Sequence, residues 1–398
     1  MKIQIPKFTA EHYFGFALAL YWGKDIIFSY IRAVFLSIPY IKYAADYIFP
    51  SLFIVCLLLS FRYFIESISW KDIVFLGAVA VIFLSNIVLY PQNTELKNIA
   101  GSFFLSVFPL YFVGLRLEPS KHFRILYIMS IVNVWAFSAY YIVFSESSFD
   151  VSSMADASFM GRAYVLLPQL LIVFVGILNK KNVLNIITGV IGFVLLLMCG
   201  NRGSVLLLLL FLIIYLLFNT KKEKRVLISI LALSLVGILI NYYEKMLVMV
   251  MTAFDRFGFS NRIFQRLSDG TFLKSNGRVL IIDKLTSAIW DKPIIGYGLC
   301  SDRTIAGTYA HNYAFELWTT FGILFGTAIL VITIVIIAHA WKKSLDGFHR
   351  CFLLALMCCG IFKLFLSSSF LIEALFFMLM GYCVTQFRSN KQTRWIQE

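Results

Sequence analysis

Charge is scarce in this chain. Of its 398 residues only 14% are Asp, Glu, Lys or Arg, whereas 60% are hydrophobic, 40 are Phe, and the mean hydropathy is +0.83. A water-soluble globular domain cannot bury so much apolar surface, so the composition excludes that class. The net charge is +14. Because the basic residues are divided among short loops, we interpret this excess as contact with anionic membrane lipids and expect no nucleic-acid partner.

Cysteine and histidine are also few, with seven Cys and five His. Most of the cysteines fall inside apolar runs, so we expect no disulfide framework, no metal site and no cofactor, and Cys300 would be the lone outer thiol. The basic start runs directly into the first apolar run, so no cleavable signal peptide is expected. The chain shows no internal repeat.

Apolar runs long enough to cross a bilayer, about 20 residues at 1.5 Å rise each, recur along the whole length. They predict an all-α polytopic membrane protein with about twelve transmembrane helices in one domain, residues 1–398. The predicted spans are residues 13–22, 44–61, 73–90, 99–115, 123–144, 163–178, 183–200, 204–218, 226–242, 313–338, 351–366 and 368–386.

The basic residues of the short loops predict the orientation, because such residues stay in the cytoplasm. Both termini are then cytoplasmic, and the one long loop, residues 243–312 between spans 9 and 10, is extracytoplasmic. The basic pairs and runs that flank residues 183–218 require two crossings there, so Asn201-Arg202-Gly203 becomes an outer turn. Within the long loop, an amphipathic helix over about residues 276–291 is predicted to lie at the membrane interface.

Three outer positions place a cationic or titratable side chain at the start of a helix: Arg202, Arg278 and His311. Unpaired N–H groups and the helix dipole favour anions there, and arginine suits bidentate phosphate binding. A pyrophosphate is the expected ligand, and Arg162 is a further candidate residue for binding it. The alternative for each arginine is that it only reaches toward lipid headgroups.

His311 is the only histidine expected outside, because the other four fall at the cytoplasmic face. An imidazole whose pKa lies near the working pH suits a general base. Asn312 and Glu316 follow it, and Glu316 either orients a neighbour or packs the helix. Other charged residues have simpler readings: Lys363 and Glu373 near the last hairpin pair with each other, and Asp25 in the first outer loop is a minor acid or base candidate.

At these residues the chain resembles the superfamily of O-antigen ligases and O-antigen polymerases. The resemblance depends on Gly200-Asn201-Arg202-Gly203-Ser204 before a Leu-rich span, on Gly277-Arg278 through Trp290 with Pro293, Gly296 and Gly298, and on His311-Asn312 followed by Glu316, Leu317, Phe321-Gly322 and Gly326. Asn201 replaces the hydroxyl residue that often precedes the arginine. The N-terminal third carries no matching motif.

The resemblance implies a membrane glycosyltransferase in the bacterial inner membrane, with an extracytoplasmic active site. It would transfer an undecaprenyl-diphosphate-linked glycan without a metal. Arg202, Arg278 and His311 would be catalytic, and Arg202, Arg278, Arg162, Asn312 and Glu316 would bind the substrate. The acceptor would be a second lipid-linked repeat in an O-antigen or capsular polysaccharide polymerase, or lipid A-core in a ligase of lipopolysaccharide assembly. We favour the polymerase, with a chain-length regulator or a flippase as a further partner.

A lipid-linked oligosaccharide flippase or transporter is the alternative of a different class. Such carriers place ionisable groups in the membrane interior and show duplicated halves. Here the polar features gather at one face, the interior is expected to be nearly free of charge, and no repeat is visible, which favours an enzyme.

Overall fold

The computed structural model describes residues 9–34, 39–144, 155–180, 182–199, 201–219, 278–344 and 346–392, with a few isolated helical positions between 234 and 252. Throughout this part of the chain the regular structure is helical. Seven of the described helices are long and apolar enough to cross a membrane: residues 70–89, 94–116, 119–140, 161–179, 202–219, 313–343 and 347–366. The all-helical prediction is therefore confirmed, whereas the count of twelve spans stays a prediction.

The helices before the first candidate turn are α1 (Ala10–Val34), α2 (Pro39–Leu59), α3 (Phe61–Ile65), α4 (Trp70–Leu89), α5 (Thr94–Ser102), α6 (Pro109–Arg116), α7 (Pro119–Phe144), α8 (Ala155–Asn179) and α9 (Val183–Met198). After it come α10 (Arg202–Asn219), α11 (Arg278–Asp291), α12 (Ser301–Ala306), α13 (Tyr313–Lys343), α14 (Gly347–Met357), α15 (Lys363–Leu366) and α16 (Ala374–Gln392). One π-helical turn joins α5 to α6 and another joins α14 to α15.

Several predicted spans have different bounds in the structure, and the first and the last illustrate this. The first, expected at residues 13–22, continues as α1 to Val34, and the indole of Trp22 donates to Ser130 Oγ at 2.8 Å in a buried contact that secures it to α7. The last, expected to begin at residue 368, begins at Ala374, because residues 367–373 form a turn. The predicted ninth span and residues 253–277 of the long loop lie outside the described residues.

Helix α13 is interrupted near its start. Gly322 has φ 78° and ψ 169°, and the turn after α11 packs against this break. The amide of Tyr297 donates to the carbonyl of Thr319 at 2.8 Å, and the amide of Ile323 donates to the carbonyl of Pro293 at 2.6 Å. A Cβ on Gly322 would lie 2.3 Å from the carbonyl oxygen of Ile294, so the close backbone approach requires glycine. The break therefore attaches α11 to the start of α13.

The two ends of the helix bundle differ in charge. At one end α16 meets α4 and α6: Arg388 binds Asp72 through two contacts of 2.6 and 2.7 Å, and Tyr111 donates to the same carboxylate at 2.7 Å. Rings of Phe123 and Phe348 lie 5.0 Å apart at this end, which joins α7 to α14. We call it the basic end, because it carries Lys71, Arg116, Lys121, Arg124, Lys180, Lys342, Lys343, Arg350 and Arg388.

The opposite end carries the predicted site. Helix α10 begins there at Arg202, α11 at Arg278 and α13 at Tyr313, two residues after His311. The four other histidines are placed away from it, His122 for example beside Phe14 near the start of α1 with ring centroids 4.8 Å apart. The structure thus separates the candidate site from the nine residues of the basic end by the thickness of the bundle.

Candidate active site

The turn at Asn201 brings the start of α10 against α8. The Oδ1 atom of Asn201 accepts from the amide of Ser204 at 3.2 Å and caps the helix, so Arg202 is its first residue and is exposed. A Cβ on Gly203 would lie 2.3 Å from the hydroxyl oxygen of Tyr164. The absence of a side chain at Gly203 therefore lets the Tyr164 hydroxyl approach the turn.

Arg278 and His311 lie close enough to interact electrostatically. Burial, and secondly the positive charge of Arg278, lower the pKa of His311 from 6.5 to about 4. The same charge acts on the Tyr164 hydroxyl. The pKa near the working pH that we predicted for His311 is thus wrong for the unliganded protein, because Arg278 disfavours a second positive charge. The imidazole is neutral at pH 7 and able to accept a proton.

Tyr164 and Ser367 connect the Asn201 turn to His311, and neither was identified from the sequence. The side chains of Asn201 and Ser367 both lie near the Tyr164 hydroxyl. Ser367 Oγ lies 3.5 Å from His311 Nδ1, which is a long hydrogen bond. The tautomer of His311 decides which of the two atoms donates. With Nδ1 so engaged, Nε2 is the ring nitrogen left to meet a substrate. The signal available in the sequence was the Ser367-Ser368-Ser369 run at an outer turn.

Two buried carboxylates hold the turn that carries Ser367. Glu316, 1% exposed, accepts from the amide of Phe370 at 3.1 Å and from the hydroxyl of Ser369 in a short hydrogen bond. Glu373 accepts from Ser368 Oγ at 3.0 Å. Of the two readings that the sequence left open for Glu316, the structure favours a carboxylate that orients a neighbour. Its predicted role in substrate binding stays a prediction.

Lys363 pairs with Glu373, as the sequence indicated, with Nζ 2.5 Å from the carboxylate oxygen. The ammonium also lies 5.1 Å from the centre of the Tyr164 ring. Both side chains are largely buried, at 14% and 8% exposure. This ion pair lies at the end of the bundle that carries the candidate site, and the expectation of a membrane interior nearly free of charge stays a prediction.

His311 itself is held in an unusual backbone conformation, with φ 54°, in the left-handed region. The preceding residue is fixed by Asp302, whose buried carboxylate accepts from the amide of Ala310 at 2.8 Å and pairs with Arg303 at 3.4 Å. Burial raises the pKa of Asp302. A strained backbone conformation of this kind persists only where the surrounding contacts hold it in place. Here the strained conformation of His311 orients the imidazole.

The remaining predicted residues lie at the same end. Asn312 caps α13, accepting from the amides of Ala314 at 3.0 Å and Phe315 at 3.4 Å, so its oxygen is engaged in the backbone. Arg162 donates to Tyr140 Oη at 3.1 Å, and its charge reaches Cys199, two residues before Asn201.

Three further sequence expectations concern other groups. Asp25 is exposed on α1, and Cys300, expected as an outer thiol, is buried with 1% exposure. Among the residues that the structure describes, no group of three or more His, Cys, Asp or Glu could hold a metal ion. Metal independence of the reaction stays a prediction.

The structure therefore brings Arg278, His311, Tyr164, Ser367 and Asn201 together. The positive charge of Arg278 acts on both the neutral His311 imidazole and the Tyr164 hydroxyl, and Ser367 Oγ lies 3.5 Å from His311 Nδ1. Such a site can bind an anion at the guanidinium and accept a proton at the imidazole. Arg202 begins its helix one residue after Asn201 and adds a second cation at this end.

Comparison with known proteins identifies the region that contains most of this site. Residues 187–331 match the family model described as O-antigen ligase. The match includes Arg202, Arg278, His311 and Glu316, whereas Arg162, Tyr164 and Ser367 lie outside it. A search of curated proteins found no match. The apolar helices indicate a membrane protein, and residues 187–331 are similar to the O-antigen ligase family over about a third of the chain.

Proposed function

We propose that this protein is a membrane glycosyltransferase that extends a polysaccharide at the outer face of the inner membrane, using an undecaprenyl-diphosphate-linked glycan as donor. The observation that carries the proposal is the placement of His311 beside Ser367 at the same end of the bundle as the helix starts at Arg202 and Arg278, with the charge of Arg278 acting on His311, inside the region that matches the O-antigen ligase family. A cation beside a neutral base is the combination that a diphosphate leaving group and a hydroxyl nucleophile require.

In the proposed reaction, an acceptor hydroxyl oxygen attacks the anomeric carbon of the donor sugar. The bond between that carbon and the diphosphate oxygen breaks, and the electron pair leaves with undecaprenyl diphosphate. His311 takes the hydroxyl proton, and Arg278 and Arg202 stabilise the charge that grows on the leaving group. Tyr164 and Ser367 do not touch the reacting atoms in this scheme but position the imidazole.

Donor binding would also raise the pKa of His311, the proposed general base. In the free protein, Arg278 disfavours protonation of His311. A diphosphate bound to Arg278 places negative charge beside the imidazole and raises its pKa toward the working pH. His311 would then become a stronger base only when a donor is present, which limits proton abstraction to the productive complex.

The charge distribution supports the orientation predicted from the sequence. The basic end of the bundle fits the cytoplasmic face, where Lys and Arg accumulate in short loops. The candidate site at the opposite end would then lie at the extracytoplasmic face. The resemblance to this superfamily implies that lipid-linked glycans are assembled at that face.

The test supplies purified protein with lipid-linked repeat units alone. A ladder of products supports the polymerase, whereas product that forms only after lipid A-core is added supports the ligase, the activity named by the matching family model. Transport of the lipid-linked unit across a vesicle membrane without a glycosidic product would contradict both and indicate the carrier.

Variants connect the activity to the site. We expect Arg278→Gln and His311→Ala to abolish transfer while the protein still inserts and remains folded. The matched control is Lys284→Gln, an exposed charge on the same helix α11. Wild-type glycan amount and length in Arg278→Gln and His311→Ala would refute the proposed site.

A further inference from the structure

A crevice opens at the basic end of the bundle, about 27 Å along α10 from Arg202 at 1.5 Å per residue. It has a volume of about 130 Å³ and lies where the end of α10 and the end of α13 meet the start of α14. This volume exceeds that of a single water molecule. The lining residues are Tyr215, Phe218, Asn219, Trp341, Gly347, Arg350, Cys351 and Leu354.

Arg350 supplies a cation to this crevice. Its Nε atom donates to the carbonyl of Ser344 at 3.1 Å, which fixes the side chain at the end of α13. Within the described ranges, the guanidinium makes no other hydrogen bond to the protein. The remaining N–H groups of the planar fork are therefore available to an oxygen-rich anion such as a phosphate.

The surrounding charges favour an anion. Lys342 and Lys343 lie in the last turn of α13, directly before the crevice. The nearest acid in the sequence, Asp346, is engaged with the Nδ1 atom of His349 at 2.8 Å and caps α14. The first residue of α14, Gly347, lines the crevice, so the positive end of that helix also faces it.

The walls are amphipathic in the way that a lipid requires. The rings of Phe218 and Trp341 lie 4.8 Å apart at an angle of 62°, and Tyr215 lies one turn deeper along α10. Trp and Tyr are the residues enriched where a bilayer changes from acyl chains to headgroups. The crevice therefore combines an apolar aromatic wall with a cation.

We infer that this crevice is a binding site for the phosphodiester headgroup of an anionic phospholipid, with Arg350 as the phosphate ligand and Trp341 against the glycerol and upper acyl region. The site lies at the end of the bundle away from His311, so it is separate from the proposed glycan transfer. Basic pockets between helices at the cytoplasmic surface are a recognised setting for acidic lipids.

The test titrates phosphatidylglycerol or phosphatidylcholine into the full-length protein in detergent and counts bound lipid by native mass spectrometry. We expect wild-type protein to bind phosphatidylglycerol preferentially. Arg350→Gln should lower that affinity about tenfold, the value of a charge-assisted hydrogen bond. Arg124→Gln, which removes an exposed charge at the same end outside the crevice, is the matched control and should bind as the wild type does.

A second variant separates the crevice from the general surface charge. A Cβ on Gly347 would meet only Asn219 Oδ1, at 3.9 Å, so this position accepts a side chain, and Gly347→Leu adds apolar bulk at the crevice while every charge is retained. Loss of phosphatidylglycerol binding in Gly347→Leu supports the site. Equal loss in Arg350→Gln and Arg124→Gln, equal binding of the two lipids, or full binding by Gly347→Leu would overturn it.

Discussion

The substitution Arg278→Gln should raise the pKa of His311 in the unliganded protein. Two causes lower this pKa from 6.5 to about 4, and burial is the larger, with the positive charge of Arg278 second. Removing the charge therefore restores less than half of the difference. We expect the pKa to rise but to stay well below 6.5, because burial, the larger cause, remains.

The assay measures modification of His311 by diethyl pyrocarbonate, which reacts with the neutral imidazole. Protein in detergent is treated across a range of pH, and the peptide that contains His311 is quantified by mass spectrometry, so the other histidines do not interfere. Wild-type protein should show a midpoint near pH 4 and Arg278→Gln a higher one. Arg202→Gln is the control and should leave the midpoint unchanged, because the charge that acts on His311 is that of Arg278.

An unchanged midpoint in Arg278→Gln would refute the convergence of the two side chains, whatever the activity of the protein. The same pKa sets a stability window. The native imidazole binds its proton at lower pH than the unfolded one, so this contribution is complete above pH 6.5 and is lost as pH falls toward about 4. Thermal unfolding should therefore occur at lower temperature across that window, and less so in His311→Gln.

Other substitutions test the rest of the framework. Ser367→Ala should lower kcat about tenfold with little change in KM, whereas Ser367→Thr retains the hydroxyl and most of the activity, as measured by initial rates. Gly322→Ala should destabilise the protein by about 1–3 kcal/mol, because a Cβ meets backbone in a left-handed conformation, whereas Gly101→Ala, which meets nothing within 4 Å, should not. Asp72→Asn should lower the free energy of unfolding by about 1–3 kcal/mol, as measured by thermal or denaturant unfolding. This is less than the loss expected for a fully buried ion pair, because the partner Arg388 is 33% exposed. Lys71→Gln is the control and should leave the free energy of unfolding unchanged. Wild-type stability in Gly322→Ala or Asp72→Asn, or wild-type kinetics in Ser367→Ala, would contradict the corresponding contact.

Local features of the site could be predicted from the sequence, because they depend on a few adjacent residues. The turn at Asn201-Arg202-Gly203 follows from its own residue types and from flanking charges, and the structure has α9 and α10 as separate helices. The helix predicted over about residues 276–291 corresponds to Arg278–Asp291. The choice of His311 used only the side on which each histidine falls.

The proximity of side chains from distant segments could not be predicted from the sequence. Tyr164 and Ser367 are more than 200 residues apart, and nothing in the sequence around either one indicates that the two side chains lie near each other. The pKa of His311 was likewise misjudged, because burial and the proximity of Arg278 are properties of packing. The first and last predicted spans had wrong bounds: α1 continues to Val34, and a turn held by the Ser368–Glu373 contact precedes α16, which begins at Ala374.

The sequence by itself determined the class of this protein and the list of cations available to it, because hydrophobic run length and helix-end chemistry are local quantities. Only the tertiary structure decided which of those groups act on one another. The break at Gly322 and the turn held by Glu316 bring Arg278 and Ser367 to His311. Electrostatic coupling depends on distance and burial in three dimensions, and a linear pattern of residues contains neither.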